Sequence, residues 1–206
     1  MIKKFISCKS RFFFNLKFTD LIKFFFTFLI KFKKNYKKEV VKKIKKFYPN
    51  SNIKLFNHGR SAFYVILKSF TTGNKKKVLI NSLTLFEMIN AVIYCGYEPV
   101  FIDNLKNSFR TNTAELIDRH LNDIKFVIVT HLNGANEDIF QIKKKIDLIN
   151  LNREDKHKII LIEDCAVSFG AKIKNSYVGS FGDYAILSFN IMKNITSITG
   201  GALVDN

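Results

Sequence analysis

The sequence predicts an α/β fold in which helices cover a mostly parallel sheet. Four short apolar runs, at residues 77–80, 99–102, 126–129 and 159–162, are typical of strands buried on both faces. Helical patterns lie between them, at residues 86–95, 112–121 and 138–149. This alternation through short connections favours parallel strand pairs. Two further strand candidates, residues 184–189 and 202–205, follow without a comparable helix between them.

The first 50 residues differ from the rest of the chain in charge. The 206 residues include 34 Lys and Arg against 17 Asp and Glu, a net charge of +17. Fifteen of the basic residues and only two of the acidic residues precede residue 51. We therefore divide the chain into a basic, Phe-rich helical segment at residues 1–50 and a domain at residues 51–206.

The N-terminal segment contains the pattern of an amphipathic helix. Asp20, Lys23, Thr27, Lys31 and Lys34 recur every three or four residues on a surface that is otherwise Phe, Leu and Ile. Two interpretations are open. The helix could lie on anionic lipid, held there by the pairs of lysines that follow it. It could also pack on its own domain or on a partner subunit, with a solvated basic face, and we prefer this second interpretation.

The sequence disfavours a membrane-spanning helix, secretion, nucleic-acid binding, a disulfide framework and a metal site. The longest nearly apolar run, residues 24–30, is much shorter than the about 20 residues that a membrane-spanning helix needs. Charged residues interrupt the N-terminal apolar stretch, so a secretory leader is not indicated, and we expect a cytoplasmic protein. No nucleic-acid reader motif accompanies the lysines. The three cysteines lie far apart and the four histidines lack ligand spacing, so neither a disulfide framework nor a metal site is predicted.

Three segments place reactive or ligand-binding groups where α/β sheets bind ligands, namely at strand ends and helix starts. Asp164 follows Glu163 at the end of a buried run. Ser188 lies in the strand candidate 184–189, which leads to Lys193. Gly59, followed by Arg60 and Ser61, opens a helical pattern and can present free N–H groups to a phosphate.

Together these segments supply a phosphate cradle, a carboxylate and an amine. Pyridoxal phosphate (PLP) requires the same three groups. The amine bonds to the carbonyl carbon of the cofactor, the carboxylate keeps the ring nitrogen protonated, and the helix start binds the phosphate. The sequence therefore predicts a PLP site formed by these segments.

Several motifs resemble, in their residues and in their order along the chain, those of the sugar aminotransferases of the DegT/DnrJ/EryC1/StrS family. The motifs are NHGRSA at 57–62, NSLT at 81–84, NAV at 90–92, PVFID at 99–103, THLNG at 130–134, IEDCA at 162–166, VGSFGD at 178–183, SF at 188–189, KNIT at 193–196 and GG at 200–201. The resemblance extends from about residue 52 to the end. It implies a three-layer α/β/α large domain of PLP fold type I, present in part, without the family's small C-terminal domain.

The resemblance also implies roles for individual residues. Lys193 would be the lysine that bonds to PLP, and Asp164 the partner of the ring nitrogen. Ser188 and the start of the helix at Gly59, Arg60 and Ser61 would bind the phosphate. The family usually stacks an aromatic side chain on the ring where this chain has Leu85, and Phe86 follows as a substitute.

The implied reaction moves an amino group from glutamate to a keto sugar linked to a nucleotide, in the biosynthesis of amino sugars and surface polysaccharides. Lys193 favours this reaction over that of the family's dehydratase branch, which has His there. A homodimer is implied if the protein is complete. The alternative hypothesis is a truncated, non-catalytic remnant or binding protein, because the family pattern is broken at Leu85, Val167 and Thr199 and the chain ends at Asn206.

Overall fold

The computed structural model of the chain describes residues 17–29, 36–70, 76–132 and 138–206. Its helices are α1 (Phe18–Leu29), α2 (Tyr36–Ile44), α3 (Gly59–Ser69), α4 (Phe86–Tyr94), α5 (Thr113–Arg119) and α6 (Ile139–Asn150). Its strands are β1 (Asn52–Phe56), β2 (Lys77–Asn81), β3 (Glu98–Ile102), β4 (Ile124–Thr130), β5 (Ile160–Asp164), β6 (Lys172–Ile173), β7 (Ser176–Tyr177), β8 (Tyr184–Ser188) and β9 (Gly201–Asp205).

Seven strands form one sheet in the order β1-β9-β8-β5-β4-β2-β3, and β6 and β7 form a separate hairpin. Strands β3, β2, β4, β5 and β8 run parallel to one another, whereas β9 is antiparallel to both β8 and β1. The predicted α/β fold with a mostly parallel sheet is confirmed. The strands β1, β6 and β7 and the antiparallel direction of β9 were not expected from the sequence.

Helices cover both faces of the sheet. One face, with Ile80, Ile128 and Ile162, packs against α3 and α4. The opposite face, with Leu79, Val127 and Leu161, packs against α5 and α6. All seven residues of the central strand β4 are buried. The apolar runs of β2, β4 and β5 are therefore covered on both sides, as this pattern indicates. The prediction of burial on both faces is wrong for residues 99–102, because β3 lies at the edge of the sheet and Phe101 is 50% exposed.

The end of the N-terminal segment packs on the domain. Ile44 and Tyr48 are buried in a third apolar cluster that includes Cys165 and Val178, and the Tyr48 hydroxyl donates a hydrogen bond to the Val178 carbonyl oxygen at 2.8 Å. Residues 44–48 are thus part of the packed structure, and the domain boundary at residue 50 stays a prediction.

Helix α1 behaves differently from this packed part. Seven of its apolar side chains are exposed, from 42% for Ile22 to 76% for Phe18. The preferred interpretation included packing of this helix on its own domain, and the described part of the domain does not bury it. Among the described residues, no helix is long and apolar enough to cross a membrane.

Candidate active site

The carboxyl ends of β5 and β8 and the start of α3 surround a cavity of about 240 Å³. Its lining residues are His58, Gly59, Arg60, Leu85, Glu87, Met88, Asp164, Ala166, Ile186, Ser188, Asn190, Met192 and Lys193. Five of the residues predicted from the sequence therefore meet here, and their list is Gly59, Arg60, Asp164, Ser188 and Lys193. They come from three separate stretches of chain, which the sheet brings together.

Two predicted residues do not line this cavity. Ser61 lies in a neighbouring depression between α3 and α4, together with Arg60 and Tyr64. Phe86 is 70% exposed at the start of α4, and Leu85 lines the cavity beside it. The position next to the cavity thus carries an aliphatic side chain, where the family resemblance implies an aromatic one.

Asp164 supplies a buried carboxyl group at the end of β5. Its side chain lies at the cavity, and its Oδ1 accepts a hydrogen bond from the Ala166 N–H at 3.0 Å. Burial raises the pKa of Asp164 above its ordinary value, although the Ala166 N–H and the charges of Lys193 and His131 act in the opposite direction. A cation placed beside Asp164 would stabilise its ionised form.

The neighbouring carboxylate, Glu163, has a different role because successive side chains of a strand point to opposite faces. Its Oε1 accepts hydrogen bonds from the N–H groups of Phe181 and Gly182, at 2.8 and 2.7 Å. Its Oε2 accepts from the N–H of Gly179 at 2.8 Å and lies 3.0 Å from His131 Nε2. Glu163 therefore holds the turn that precedes β8, and of these two neighbouring carboxylates it is Asp164 that lines the cavity.

Glu163 also belongs to a cluster with His131 and Cys165 that resembles a metal site. Their donor atoms lie within 4.8 Å of one another and are buried. Glu163 is already engaged within the protein, however. Its Oε1 accepts two backbone N–H groups, and its Oε2 accepts one and contacts His131 Nε2, so the cluster is accounted for by the packing of the turn before β8.

The start of α3 has the features of an anion site. His58 occupies the N-cap position in an extended conformation, and its side chain does not cap the helix. The first N–H groups of a helix without a capping side chain can bind a phosphate, aided by the helix dipole. The Arg60 guanidinium lies at the same end and pairs with the carboxylate of Glu87 at 3.1 Å.

Two glycines allow this helix start to sit against the sheet. A Cβ atom at Gly59 would lie 3.0 Å from the Leu187 carbonyl oxygen and 3.3 Å from the Ser188 Cβ. A Cβ atom at Gly201 would lie only 2.3 Å from the Gly59 nitrogen. The absence of side chains at both positions therefore places the N–H groups of α3 beside Ser188.

The loop that carries Lys193 is tied back to the same helix start. Thr199 Oγ1 donates a hydrogen bond to the Asn57 carbonyl oxygen at 2.8 Å and lies 3.1 Å from His58 Nδ1. The Lys193 N–H donates to the Asn190 carbonyl oxygen at 3.0 Å. In the sequence, Thr199 was notable only as a break in the family pattern, because its partners are more than 140 residues away.

Comparison with known proteins is consistent with this geometry. The model of the DegT/DnrJ/EryC1/StrS aminotransferase family matches residues 31–206. The chain belongs to this family. It is similar to GDP-perosamine synthase of Escherichia coli O157:H7, with 31% identity over 150 residues, which cover 73% of this chain and 39% of the synthase.

Solved structures show the same fold. An aminotransferase from Psychrobacter cryohalolentis superimposes with a TM-score of 0.69 and 28% identity, over 80% of this chain and 40% of that one. The PLP form of Spr1654 from Streptococcus pneumoniae gives a TM-score of 0.73 and 20% identity, over 82% of this chain and 45% of that one. The chain thus spans less than half the length of these relatives.

Proposed function

We propose that this chain supplies the PLP-binding part of an aminotransferase that moves an amino group from glutamate to a keto sugar linked to a nucleotide. The observation that carries the proposal is the meeting of Asp164, Lys193 and the start of α3 at one cavity. A carboxylate, an amine and an anion site are the groups that a PLP enzyme needs. Membership of an aminotransferase family supports the reaction type.

The residues of the cavity fit PLP in chemistry. Asp164 is buried with a raised pKa, so a protonated ring nitrogen beside it would relieve the cost of burying its charge. The N–H groups at the start of α3 and the Ser188 hydroxyl would hold the phosphate. Arg60, which is paired with Glu87, would add a positive charge at that end.

When bound, PLP supplies an electron sink for the carbon that carries the amino group. The chain's own groups then bind, orient and move protons. Asp164 keeps a proton on the ring nitrogen by its charge. The Nζ atom of Lys193 takes the α-proton of the amino donor and delivers a proton to the acceptor carbon, as a general acid and base.

The acceptor class is supported by similarity to GDP-perosamine synthase, whose name describes an amino sugar linked to a nucleotide.

The proposal has four further parts: glutamate is the amino donor, the product enters surface polysaccharide, the protein is a homodimer, and its location is cytoplasmic. Free cysteines at 95 and 165 are consistent with a reducing compartment. The exposed side chains of Tyr64 and Tyr94 provide apolar area for a subunit contact.

Amino transfer can be measured directly. The chain is supplied with PLP, ¹⁵N-glutamate and a GDP-linked keto sugar, and mass spectrometry follows both 2-oxoglutarate and the labelled amino sugar. We expect both products with the parent chain and neither with Lys193→Ala. Lys156→Ala is the matched control, because this exposed lysine precedes β5 at the opposite end of the strand from the cavity.

The alternative is a binding protein that holds PLP without turnover, and Leu85 at the cavity, in place of an aromatic side chain, favours it. PLP bound at Lys193 without labelled product, in the same assay, would support this alternative and contradict the proposed reaction.

A further inference from the structure

Helix α1 exposes an apolar surface that the proposed reaction does not use. Seven of its apolar side chains are exposed by 42% or more, and their list is Phe18, Leu21, Ile22, Phe24, Phe25, Phe26 and Leu29. The helix also precedes residue 31, where the match to the family begins. An exposed surface of this kind marks an interaction site.

The apolar and polar residues of α1 lie on different sides. At about 100° per residue, the seven apolar positions fall within an arc of about 200°, with Phe25 near its centre. Thr19, Asp20 and Lys23 fall within the remaining arc. The helix has 12 residues, which is too short to cross a bilayer but long enough to lie along its surface.

Positive charge follows directly after this helix. Six lysines between residues 37 and 46 are exposed, and their list is Lys37, Lys38, Lys42, Lys43, Lys45 and Lys46. Leu29 and Tyr36 are joined by only six residues, which extend at most about 25 Å. The apolar face of α1 and these exposed lysines can therefore meet the same surface.

The positive charge beside this surface distinguishes between three possible partners: a second copy of the chain, a nucleic acid and an anionic lipid surface. A second copy of the chain would bring two basic segments together, and their repulsion opposes such a contact. A nucleic acid would attract the lysines but leave the Phe side chains in water. An anionic lipid surface accepts both parts, because its headgroups attract the lysines and its acyl region accepts the apolar face.

We infer that α1 and the six exposed lysines of residues 37–46 form a membrane-surface anchor that binds anionic lipid. Helix α1 lies in the plane of the interface with Phe25 towards the acyl chains. These lysines lie at the headgroups, and the domain that carries the cavity stays in water. This inference does not depend on the proposed reaction.

The test is flotation of the 206-residue chain with vesicles of phosphatidylcholine and phosphatidylglycerol. We expect the chain to float with these vesicles at low salt, and to float much less at high salt or with phosphatidylcholine alone. Phe25→Glu should lower partitioning at least about fiftyfold, because it adds a negative charge and also removes the aromatic side chain at the centre of the apolar arc. Thr19→Glu makes the same charge change on the polar arc, so it should show only the electrostatic loss of about fivefold.

The lysines are tested by a double variant that carries Lys42→Gln and Lys43→Gln. This variant should lower partitioning about fivefold for each lysine that is removed. The far-ultraviolet circular dichroism spectrum and the urea midpoint of every variant serve as the control for an intact domain. The inference is overturned if the parent chain stays unbound at low salt, or if Thr19→Glu weakens binding as much as Phe25→Glu. It is also overturned if Phe25→Glu instead dissociates a dimer in sedimentation equilibrium.

Discussion

Gly201 and Gly59 touch backbone to backbone, since a Cβ atom at Gly201 would lie 2.3 Å from the Gly59 nitrogen. This contact joins strand β9 to the start of α3 and so sets the position of the proposed phosphate cradle. No side chain fits between the two backbones, so a substitution at Gly201 tests the contact directly.

Replacing Gly201 with alanine should therefore move the helix start or the strand. We expect Gly201→Ala to lower the free energy of unfolding by about 3 kcal/mol and to weaken PLP binding. Gly96→Ala is the matched control, because Gly96 has a φ of +84° and no atom within 4 Å of its Cβ position. It should cost only about 1 kcal/mol, from backbone strain, and leave PLP binding unchanged. Equal losses in urea unfolding would contradict this account.

Glu163 should matter for stability rather than for chemistry. Its carboxylate accepts three backbone N–H groups and contacts His131. In Glu163→Gln the amide NH₂ would face donors, so we expect a loss of about 3 kcal/mol in the free energy of unfolding. Chemical denaturation measures this loss. Glu154→Gln, an exposed control, should leave the denaturation midpoint unchanged, and an equally unchanged midpoint for Glu163→Gln would contradict the assigned role.

The raised pKa of Asp164 predicts a pH dependence of stability without PLP. The folded chain keeps this proton to a higher pH than the unfolded chain, whose carboxyl titrates near 3.8. Stability therefore falls as the pH rises from 3.8 through the raised pKa. Asp164→Asn removes this loss, so it should be more stable than the parent at pH 7, and the gain should shrink as the pH falls towards 3.8.

PLP should reverse this order at pH 7. It should stabilise the parent chain, whose carboxylate gains a cationic partner, more than Asp164→Asn, which keeps only the phosphate cradle and Lys193. Thermal unfolding with and without PLP measures both effects. A variant that is less stable than the parent without PLP would contradict the burial argument.

Thr199 should act on the cofactor site through the loop that it fastens. Thr199→Val removes the hydrogen bonds to the Asn57 carbonyl oxygen and His58 Nδ1, and we expect PLP affinity to fall about fivefold. Thr199→Ser keeps the hydroxyl group and should restore the affinity. Fluorescence titration with PLP measures both variants, and equal affinities in the valine and serine variants would show that these bonds do not position the site.

Much of the fold followed from the sequence because burial on both faces leaves a continuous apolar run. Strands β2, β4 and β5 were predicted in this way. Strand β1, with alternating partial exposure, gives no such run, since it lies at the edge of the sheet. The antiparallel direction of β9 depends on a loop whose course the local sequence pattern does not determine.

The sequence predicted the part of the site in which a helix start, a carboxylate and an amine follow one another along the chain, because PLP requires these three groups. Asp164, Ser188 and Lys193 were named from strand ends and from the family resemblance, and the fold brings them to one cavity. The sequence did not predict that Glu163 holds the turn before β8 while Asp164 lines the cavity, because this depends on which face of β5 meets the cavity. The links of Thr199 to Asn57 and His58 were also missed, since they join distant parts of the chain.

The central claim is that PLP binds in this cavity and bonds to Lys193. The most direct test mixes the purified chain with PLP, records its visible absorption, reduces it with borohydride and locates the attached cofactor by peptide mass spectrometry. The account predicts a visible band that depends on Lys193 and a reduced cofactor attached at residue 193, with Lys193→Ala lacking both. No band, or attachment spread over surface lysines and unchanged in Lys193→Ala, would contradict it.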